Sequence, residues 1–436
     1  MSFFDAKFDV IVAGAGSSGS TAAIAAARAG ARTLLVERYG FLGGTSTAVL
    51  DTFYGFYTPG TQFLKVVGGI ADDVVAALKT FGNCFERPNT YGAGTGITYN
   101  PEYLKVVWER MALDAGASVL LHTWIQDVEV SGVRVDHLTV ATKQGLRRLK
   151  ADFYVDATGD ADLCHFAGVP YRSAGELGPA QMLTTTFKVA NVDMGLRRTL
   201  SKEGFHSRMA AAAESREFDL PRREGSDHAT PVPGVMATNM TRVQSFAKND
   251  GKFRNASDPE LLSCAEIEGR MQALEYLRFL KKCIPGYAHA ELVAFGTQIG
   301  VRETRRIHGE YRLTRDDVLT AKQFDDQIGL CGAPIEEHHS GHDTKWQYLP
   351  DGSCVGVPFR TLIPLRLENV LVAGRCFSAT HDAHASVRSM AQCMAMGQAA
   401  GTAVAFCVLQ KKTPRELNIA MLQQQLRDNG AILCLE

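Results

Sequence analysis

The 436-residue sequence predicts an α/β fold built on a doubly wound parallel sheet, on three observations. A short apolar run at residues 10–13 ends in Gly14-Ala15-Gly16-Ser17-Ser18-Gly19, an alanine-rich segment covers residues 17–29, and a second apolar run at residues 33–36 closes on Glu37. Short continuous apolar runs suit strands buried on both faces, and alanine favours a helix that can lie close to a sheet. The three glycines have distinct roles. Gly14 permits a tight turn, Gly16 lets backbone N–H groups approach a pyrophosphate, and Gly19 allows close helix–strand packing while the helix N-terminus faces the phosphates. Glu37 stands 18 residues past Gly19, where a carboxylate can accept hydrogen bonds from an adenosine ribose. This spacing predicts a dinucleotide cradle without choosing the dinucleotide.

The next segment, residues 38–47, is a second glycine loop in which Gly43-Gly44-Thr45 suits a backbone passing close to a flat or phosphorylated ligand. Residues 51–61 interleave Phe53, Tyr54, Phe56 and Tyr57 with glycine, either as packing or as a roof over a ring. An amphipathic helix is expected over 63–81 and a flexible loop over 92–96. Another helix follows over 102–115, with Asn100 as N-cap and Pro101 at its first position. From residue 118 to residue 150 the pattern alternates like a small antiparallel sheet with turns at Ser131-Gly132 and Gln144-Gly145. An apolar strand then runs into Ala157-Thr158-Gly159, a small turn able to return to the cradle. Further strands are expected over 182–189 and 368–376, the latter reaching Gly374-Arg375. Helices are expected over 196–217, over 263–283, where Pro285-Gly286 stops the helix, and from about 387 through 401.

A formal net charge of -1 gives no global attraction for nucleic acid or an anionic membrane. The ten cysteines contain no CxxC, which argues against a zinc site, an iron–sulfur cluster or a dithiol and suits a reducing cytoplasm. Residues 1–7 have neither the basic start nor the apolar core of a signal peptide, and the weakly polar stretches at 21–27 and 399–409 are too short for a membrane span. A cytoplasmic location is therefore expected. No second glycine fingerprint follows a strand between 170 and 365, so no separate NAD(P)H domain is expected.

Several polar groups are candidates for the reaction site. Asn239-Met240-Thr241-Arg242 can line a pocket with amide, hydroxyl and guanidinium groups. Arg302, Glu303, Arg305 and Arg306 lie on an expected extended stretch that would place Glu303 with Arg305 and Arg302 with Arg306, with Arg305 able to bind an anionic group. Residues 336–343 hold three histidines and three acids, but there is no HExxH and no metal is expected. His381, His384 and Arg388 flank the last helix, where a histidine can transfer a proton near neutral pH.

The order of these parts resembles FAD-binding flavoproteins of the glutathione-reductase type. It is most similar to the FAD-dependent oxidoreductases related to fumarate reductase and succinate dehydrogenase flavoproteins. Besides the cradle, the matching stretches are residues 101–105, 155–162, 265–270, 300–307, 313–314 with 317–318, 357–364 and 373–375; His384 and Ala391 depart from the pattern. The resemblance implies an α/β, Rossmann-like FAD-binding domain with an inserted mixed-sheet substrate domain. The FAD domain would comprise 1–170 and a closing part, 361–436, with the substrate domain over 171–360. The flavin would be noncovalent, since no histidine stands in the 41–47 loop. Its holders would be Gly14, Gly16, Ser18, Gly19, Glu37, Arg38, Gly43, Gly44, Thr45, Ala157, Thr158, Gly159, Gly374 and Arg375. His381, Arg305 and Arg388 would be catalytic, and Asn239, Arg242, His338 and His384 would bind substrate. The implied reaction is hydride transfer between a small organic molecule and flavin N5. The alternatives are a flavin monooxygenase using NAD(P)H and oxygen, or an FAD-binding electron-transfer subunit. A homo-oligomer and a protein electron acceptor stay open as partners.

Overall fold

The computed structural model describes residues 3–82, 84–89, 92–249, 251–338 and 341–435. Its parallel sheet has five strands in the order Val370–Val372, Ala151–Asp156, Phe8–Ala13, Thr33–Val36 and Ser118–Leu120. Val12 stands opposite both Leu35 and Val155. Because the first strand is central, the turn at Gly14 falls in the middle of the sheet's carboxyl edge. Alternation of side chains divides the buried strand residues between two cores, Val10, Val12, Leu35 and Val155 in one and Ile11, Ala13, Leu34 and Tyr154 in the other.

The helix Ser17–Arg28 lies against the helix Met390–Gln410, and glycine sets how closely. A Cβ on Gly397 would stand 2.1 Å from the Ser18 carbonyl oxygen, and one on Gly401 would stand 2.2 Å from that of Ala22. Backbone therefore touches backbone, which seats the cradle helix. At 21 residues Met390–Gln410 is long and apolar enough to cross a membrane, which corrects the expectation of a shorter apolar stretch. In the fold it is a core helix, largely buried.

A second sheet has the order Ser226–Ala229, Met236–Asn239, Phe187–Ala190 and Glu291–Phe295. The mixed sheet expected here is antiparallel at every described pairing. Its first two strands are joined by the short Pro231 to Gly234 turn, a connection that only antiparallel neighbours allow. The helix Pro259–Cys283 packs beside it over a separate core that includes Phe187, Phe205, Tyr276 and Phe279.

The three-stranded meander, Trp124–Ser131, Arg134–Thr142 and Gly145–Leu149, has its turns where the sequence places them. Helix boundaries differ where caps intervene. The 63–81 segment is helical only over Ile70–Thr80, because Gly69 at φ +70° breaks the chain direction ahead of it. The 196–217 segment splits into Met194–Arg198 and Lys202–Glu214, the second starting where Ser201 Oγ accepts from Gly204 N. The helix expected from about 387 through 401 runs over Met390–Gln410, and a separate short helix, His381–Val387, precedes it.

Candidate active site

The carboxyl edge of the parallel sheet opens on a cavity of about 1040 Å³ that continues to the antiparallel sheet. At the sheet end, the glycines behave as three different devices. Gly14 has φ +89°, and a Cβ there would sit 2.6 Å from the Ala157 oxygen, so the Ala157-Thr158-Gly159 turn closes directly on it. A Cβ on Gly19 would strike the Gly14 oxygen at 1.8 Å. Gly16, in contrast, has no atom within 4 Å of its Cβ position and faces the cavity.

The helix after Gly16 has no side-chain cap, and Ser17 and Ser18 line the cavity, so first-turn N–H groups are available to an anion. The second glycine loop crosses this point: Gly43 N donates to the Ala15 oxygen at 2.7 Å, and a Cβ on Gly44 would lie 2.8 Å from Gly16 Cα. Glu37 Oε2 accepts from Ala15 N at 2.7 Å and Oε1 from Tyr39 N at 2.9 Å; burial raises its pKa. Arg38 lines the cavity with its guanidinium 4.9 Å from the ring centres of both Tyr39 and Trp124. Thr45, Ala157, Thr158, Gly159 and Arg375 complete this wall. Arg375 Nη2 reaches Asp160 Oδ1 at 2.6 Å, while its Nη1 is buried without an acceptor. An uncapped helix end, an open glycine and an orphaned guanidinium nitrogen fit the phosphates of a dinucleotide.

The far end is rich in guanidinium groups. Arg302 Nη1 donates to the Met182 oxygen and to Thr184 Oγ1, both at 2.7 Å. Arg222 Nη1 reaches the oxygen and Oδ1 of Asn239 at 3.2 and 3.1 Å. Arg388 keeps Nε and Nη2 buried with no acceptor. All three arginines line the cavity, and Glu336 and Glu224 are carboxylates on the same lining. Burial would raise Glu336, but His338 and the charges of Arg388 and Arg302 hold it well below the usual range. Burial and the Arg388 charge in turn push Arg302 down, as expected for clustered positive charge, although a guanidinium stays protonated. Glu224 and Asp343 also act on Arg222, and Glu303 on Arg388, so the donors open to an anion are the two Arg388 nitrogens that lack an acceptor.

A second polar cluster stands on the same wall. His228 Nε2 lies 2.7 Å from Asp51 Oδ1, and Lys188 Nζ lies 3.6 Å from Asp51 Oδ2.

The structure separates the candidates from the sequence into wall and framework. Asn239 and Arg388 line the cavity. Gly19, Gly43 and Gly374 shape it from behind; a Cβ on Gly374 would meet Ser18 Oγ at 2.4 Å. Arg305 is not among the described wall residues. Its Nη1 donates to the Asp160 oxygen at 2.9 Å and to Asp162 Oδ1 at 2.8 Å. The expected Glu303–Arg305 and Arg302–Arg306 pairs do not form, because the strand begins only at Arg305 and alternation does not extend back to Arg302. Glu303 instead meets Arg306 Nε at 2.8 Å and His381 Nδ1 at 2.9 Å, drawing His381 off the wall. His384 is buried with Nε2 2.7 Å from the Arg375 oxygen, and burial pushes its pKa down. His338 and Arg242 also stand behind the wall: Arg242 Nη2 donates to the His338 oxygen at 2.9 Å, and His338 Nε2 lies 2.8 Å from Glu336 Oε1.

The histidine run does not converge among the described residues. His342 Nδ1 lies 3.0 Å from the Pro221 oxygen, whereas His338 has Nδ1 3.0 Å from Thr344 Oγ1 and Nε2 2.8 Å from Glu336 Oε1; His339 and Ser340 lie outside the described residues. Glu337, His381 and Asp382 do bring possible ligand atoms within 4.8 Å of one another. The cysteines are unpaired. Sequence reasoning missed Asp51, Lys188, Arg222 and His228 as site residues. It read Arg302 as an ion-pair partner and Glu336 as part of the acid–histidine run.

A sequence profile described as FAD dependent oxidoreductase matches residues 9–426. Thiamine thiazole synthase of Aeropyrum pernix is 34% identical over 164 residues, covering 35% of this chain and 55% of that protein. The chain thus spans about half the length of this relative. Among solved structures, CabE, an aromatic hydroxylase from angucycline biosynthesis, is similar with TM-score 0.50 and 15% identity over 98% of this chain and 69% of that one. OxyS anhydrotetracycline hydroxylase from Streptomyces rimosus has TM-score 0.49 and 11% identity over 97% and 66%. At this identity the likeness to CabE is one of fold.

Proposed function

The chain belongs to the FAD dependent oxidoreductase family, and we propose that it transfers a hydride between a small anionic organic substrate and N5 of a noncovalently held FAD. The observation that carries this reading is the continuity of one cavity from the glycine cradle to the arginine-lined chamber. Gly16 and the N–H groups of Ser17 and Ser18 would hold the pyrophosphate, Glu37 the ribose, and Arg38, Thr45, the 157–159 turn and Arg375 the remainder. FAD supplies two-electron chemistry there, accepting or returning a hydride. The chain supplies binding and charge. Arg302 and Arg388 orient a carboxylate by charge-assisted hydrogen bonds, and the two orphaned nitrogens of Arg388 gain the acceptors they lack. Glu336 limits the positive charge of the chamber. Arg305 and His381 hold the framework, and His338 and Arg242 support Glu336 and the wall from behind.

The domain reading goes with this proposal. An FAD domain of the glutathione-reductase type, akin to fumarate reductase flavoproteins, would comprise residues 1–170 and 361–436, with residues 171–360 forming the substrate side. The test is to load the protein with FAD and screen small carboxylic acids anaerobically for loss of the oxidised flavin band. The proposal expects bleaching by an acid carrying an oxidisable C–H bond; bleaching only by NAD(P)H would favour a monooxygenase. That second reading is suggested by the shared fold with CabE, an aromatic hydroxylase.

A further inference from the structure

We propose that His228 is the proton-transfer group of this cavity and that Asp51 is the positioning residue that sets its tautomer, an inference that rests on the hydride-transfer reading. The two side chains come from different elements. His228 lies on Ser226–Ala229, the edge strand of the antiparallel sheet, opposite Ala237. Asp51 lies between the short helix Thr45–Ala48, which continues the second glycine loop, and the strand Thr52–Phe53. They are 177 positions apart in the chain, yet Nε2 and Oδ1 are 2.7 Å apart, and both residues line the cavity.

The geometry fixes which ring nitrogen does what. Asp51 is 3% exposed; burial would raise its pKa, but His228, Lys188 and Arg87 outweigh burial and keep it a carboxylate. A carboxylate only accepts, so whenever the ring holds a single proton Nε2 carries it and donates to Oδ1. The second contact of Nε2, Thr52 Oγ1 at 3.4 Å, can also accept. Nδ1 is left with its lone pair. It has no hydrogen-bond partner among the described residues, and His228 lines the cavity. The charged groups facing the pair are Lys188, at 3.6 Å from Asp51 Oδ2, and Arg87.

The other histidines near the site lack this arrangement. His384 has Nε2 on the Arg375 oxygen and Nδ1 buried without a partner, His338 stands behind the wall, and His381 pairs with Glu303 off the wall. His206 does line the cavity but has no carboxylate hydrogen bond among the described residues.

In substrate oxidation, the C–H bond breaks and its electron pair goes with the hydrogen to the flavin. The proton of the attached hydroxyl or amine passes to His228 Nδ1. The carbon loses two electrons, the flavin gains two, and the imidazolium stays paired with Asp51 until its proton leaves for solvent through the cavity. Reduction reverses each transfer.

The experiment uses the full chain loaded with FAD, as wild type, His228→Asn, His228→Gln and Asp51→Asn. Nitrogen NMR of ring-labelled histidine is expected to show His228 protonated at Nε2, and Asp51→Asn is expected to lose that fixed tautomer. A proton on Nδ1 in the wild type would overturn the proposal without reference to turnover. With the small hydroxy acid that bleaches the wild-type flavin anaerobically, both His228 variants are expected to retain FAD but reduce it roughly a hundredfold or more slowly. They should also lose the wild-type pH profile, and Asp51→Asn should displace that profile. Wild-type rates and pH profile in both His228 variants would remove the dyad and leave the hydride-transfer reading standing. Failure of every acid to bleach the wild type would instead remove that reading, and the dyad's role with it.

Discussion

Replacing Gly16 by alanine separates the cradle's ligand function from its structural function. Gly16 adopts φ -63° and ψ -176°, a conformation open to any L-residue, and a Cβ there has no protein atom within 4 Å. The FAD-free protein should therefore unfold within about 0.5 kcal/mol of wild type, as expected for a substitution that touches nothing. FAD should not tolerate the change. The added methyl enters the space through which a pyrophosphate approaches the N–H groups of Ser17 and Ser18, and loss of one hydrogen bond to a charged group costs about 1.5–3 kcal/mol. At about 1.4 kcal/mol per tenfold, the affinity should fall roughly ten- to a hundredfold. Titration of flavin fluorescence against FAD-free protein measures this effect, and thermal melts without FAD measure the other. Gly14→Ala is the contrast: with φ +89° and a clash 2.6 Å from the Ala157 oxygen, it should lower both stability and affinity. Wild-type FAD affinity in Gly16→Ala, or an FAD-free melting temperature as low as that of Gly14→Ala, would refute the cradle geometry.

Gly401→Ala sets helix propensity against packing. Alanine gains about 1 kcal/mol in a helix interior, but a Cβ 2.2 Å from the Ala22 oxygen must push two buried helices apart, an overpacking cost of about 1–3 kcal/mol. The variant should melt lower; a clear rise would contradict the backbone contact. Arg388→Met should raise the KM for the bleaching acid roughly ten- to a hundredfold by removing a charged donor, without lowering the melting temperature, since two of its buried nitrogens have no acceptor to lose. A large drop in melting temperature at unchanged KM would assign Arg388 to the framework. For Glu303, burial alone would raise the pKa, but the His381 hydrogen bond and the Arg306 charge hold it at about 2, against 4.5 ordinarily. The unfolded chain thus takes up this proton first, so the contribution is complete above about pH 4.5 and lost as pH falls towards about 2. Denaturation midpoints measured across that range should fall less steeply in Glu303→Gln than in wild type, and equal slopes would contradict the pairing.

The glycine turn at the sheet's carboxyl edge was legible because its constraints are local. Turn, open face and close packing are each carried by one glycine within a few residues, and the strand and helix on either side are continuous in sequence. The meander was legible for the same reason, its turns being short and next to alternating strands. The reaction end was not, because its partners meet only through tertiary structure. Nothing in the neighbourhood of Asp51 points to His228, and nothing around Arg302 shows that Arg388 and Arg222 share its chamber. Alternation misled at Arg302 to Arg306 because it assumed extended chain where the strand starts only at Arg305. That freed Glu303 to take Arg306 and His381, and left Arg305 to Asp162. In the second sheet only one strand was expected, over 182–189, where the structure has Phe187–Ala190, and the pairing depended on how short the Pro231 to Gly234 connection is.

The central claim is that a small acid in the arginine chamber delivers hydride to a flavin lying in the cradle. The most direct measurement is the anaerobic rate of flavin bleaching by an acid from the screen, compared with the same acid deuterated at the reacting C–H bond. Bleaching slowed several-fold by deuterium is the expected result; bleaching without an isotope effect at saturating acid, or only on addition of NAD(P)H, would contradict it.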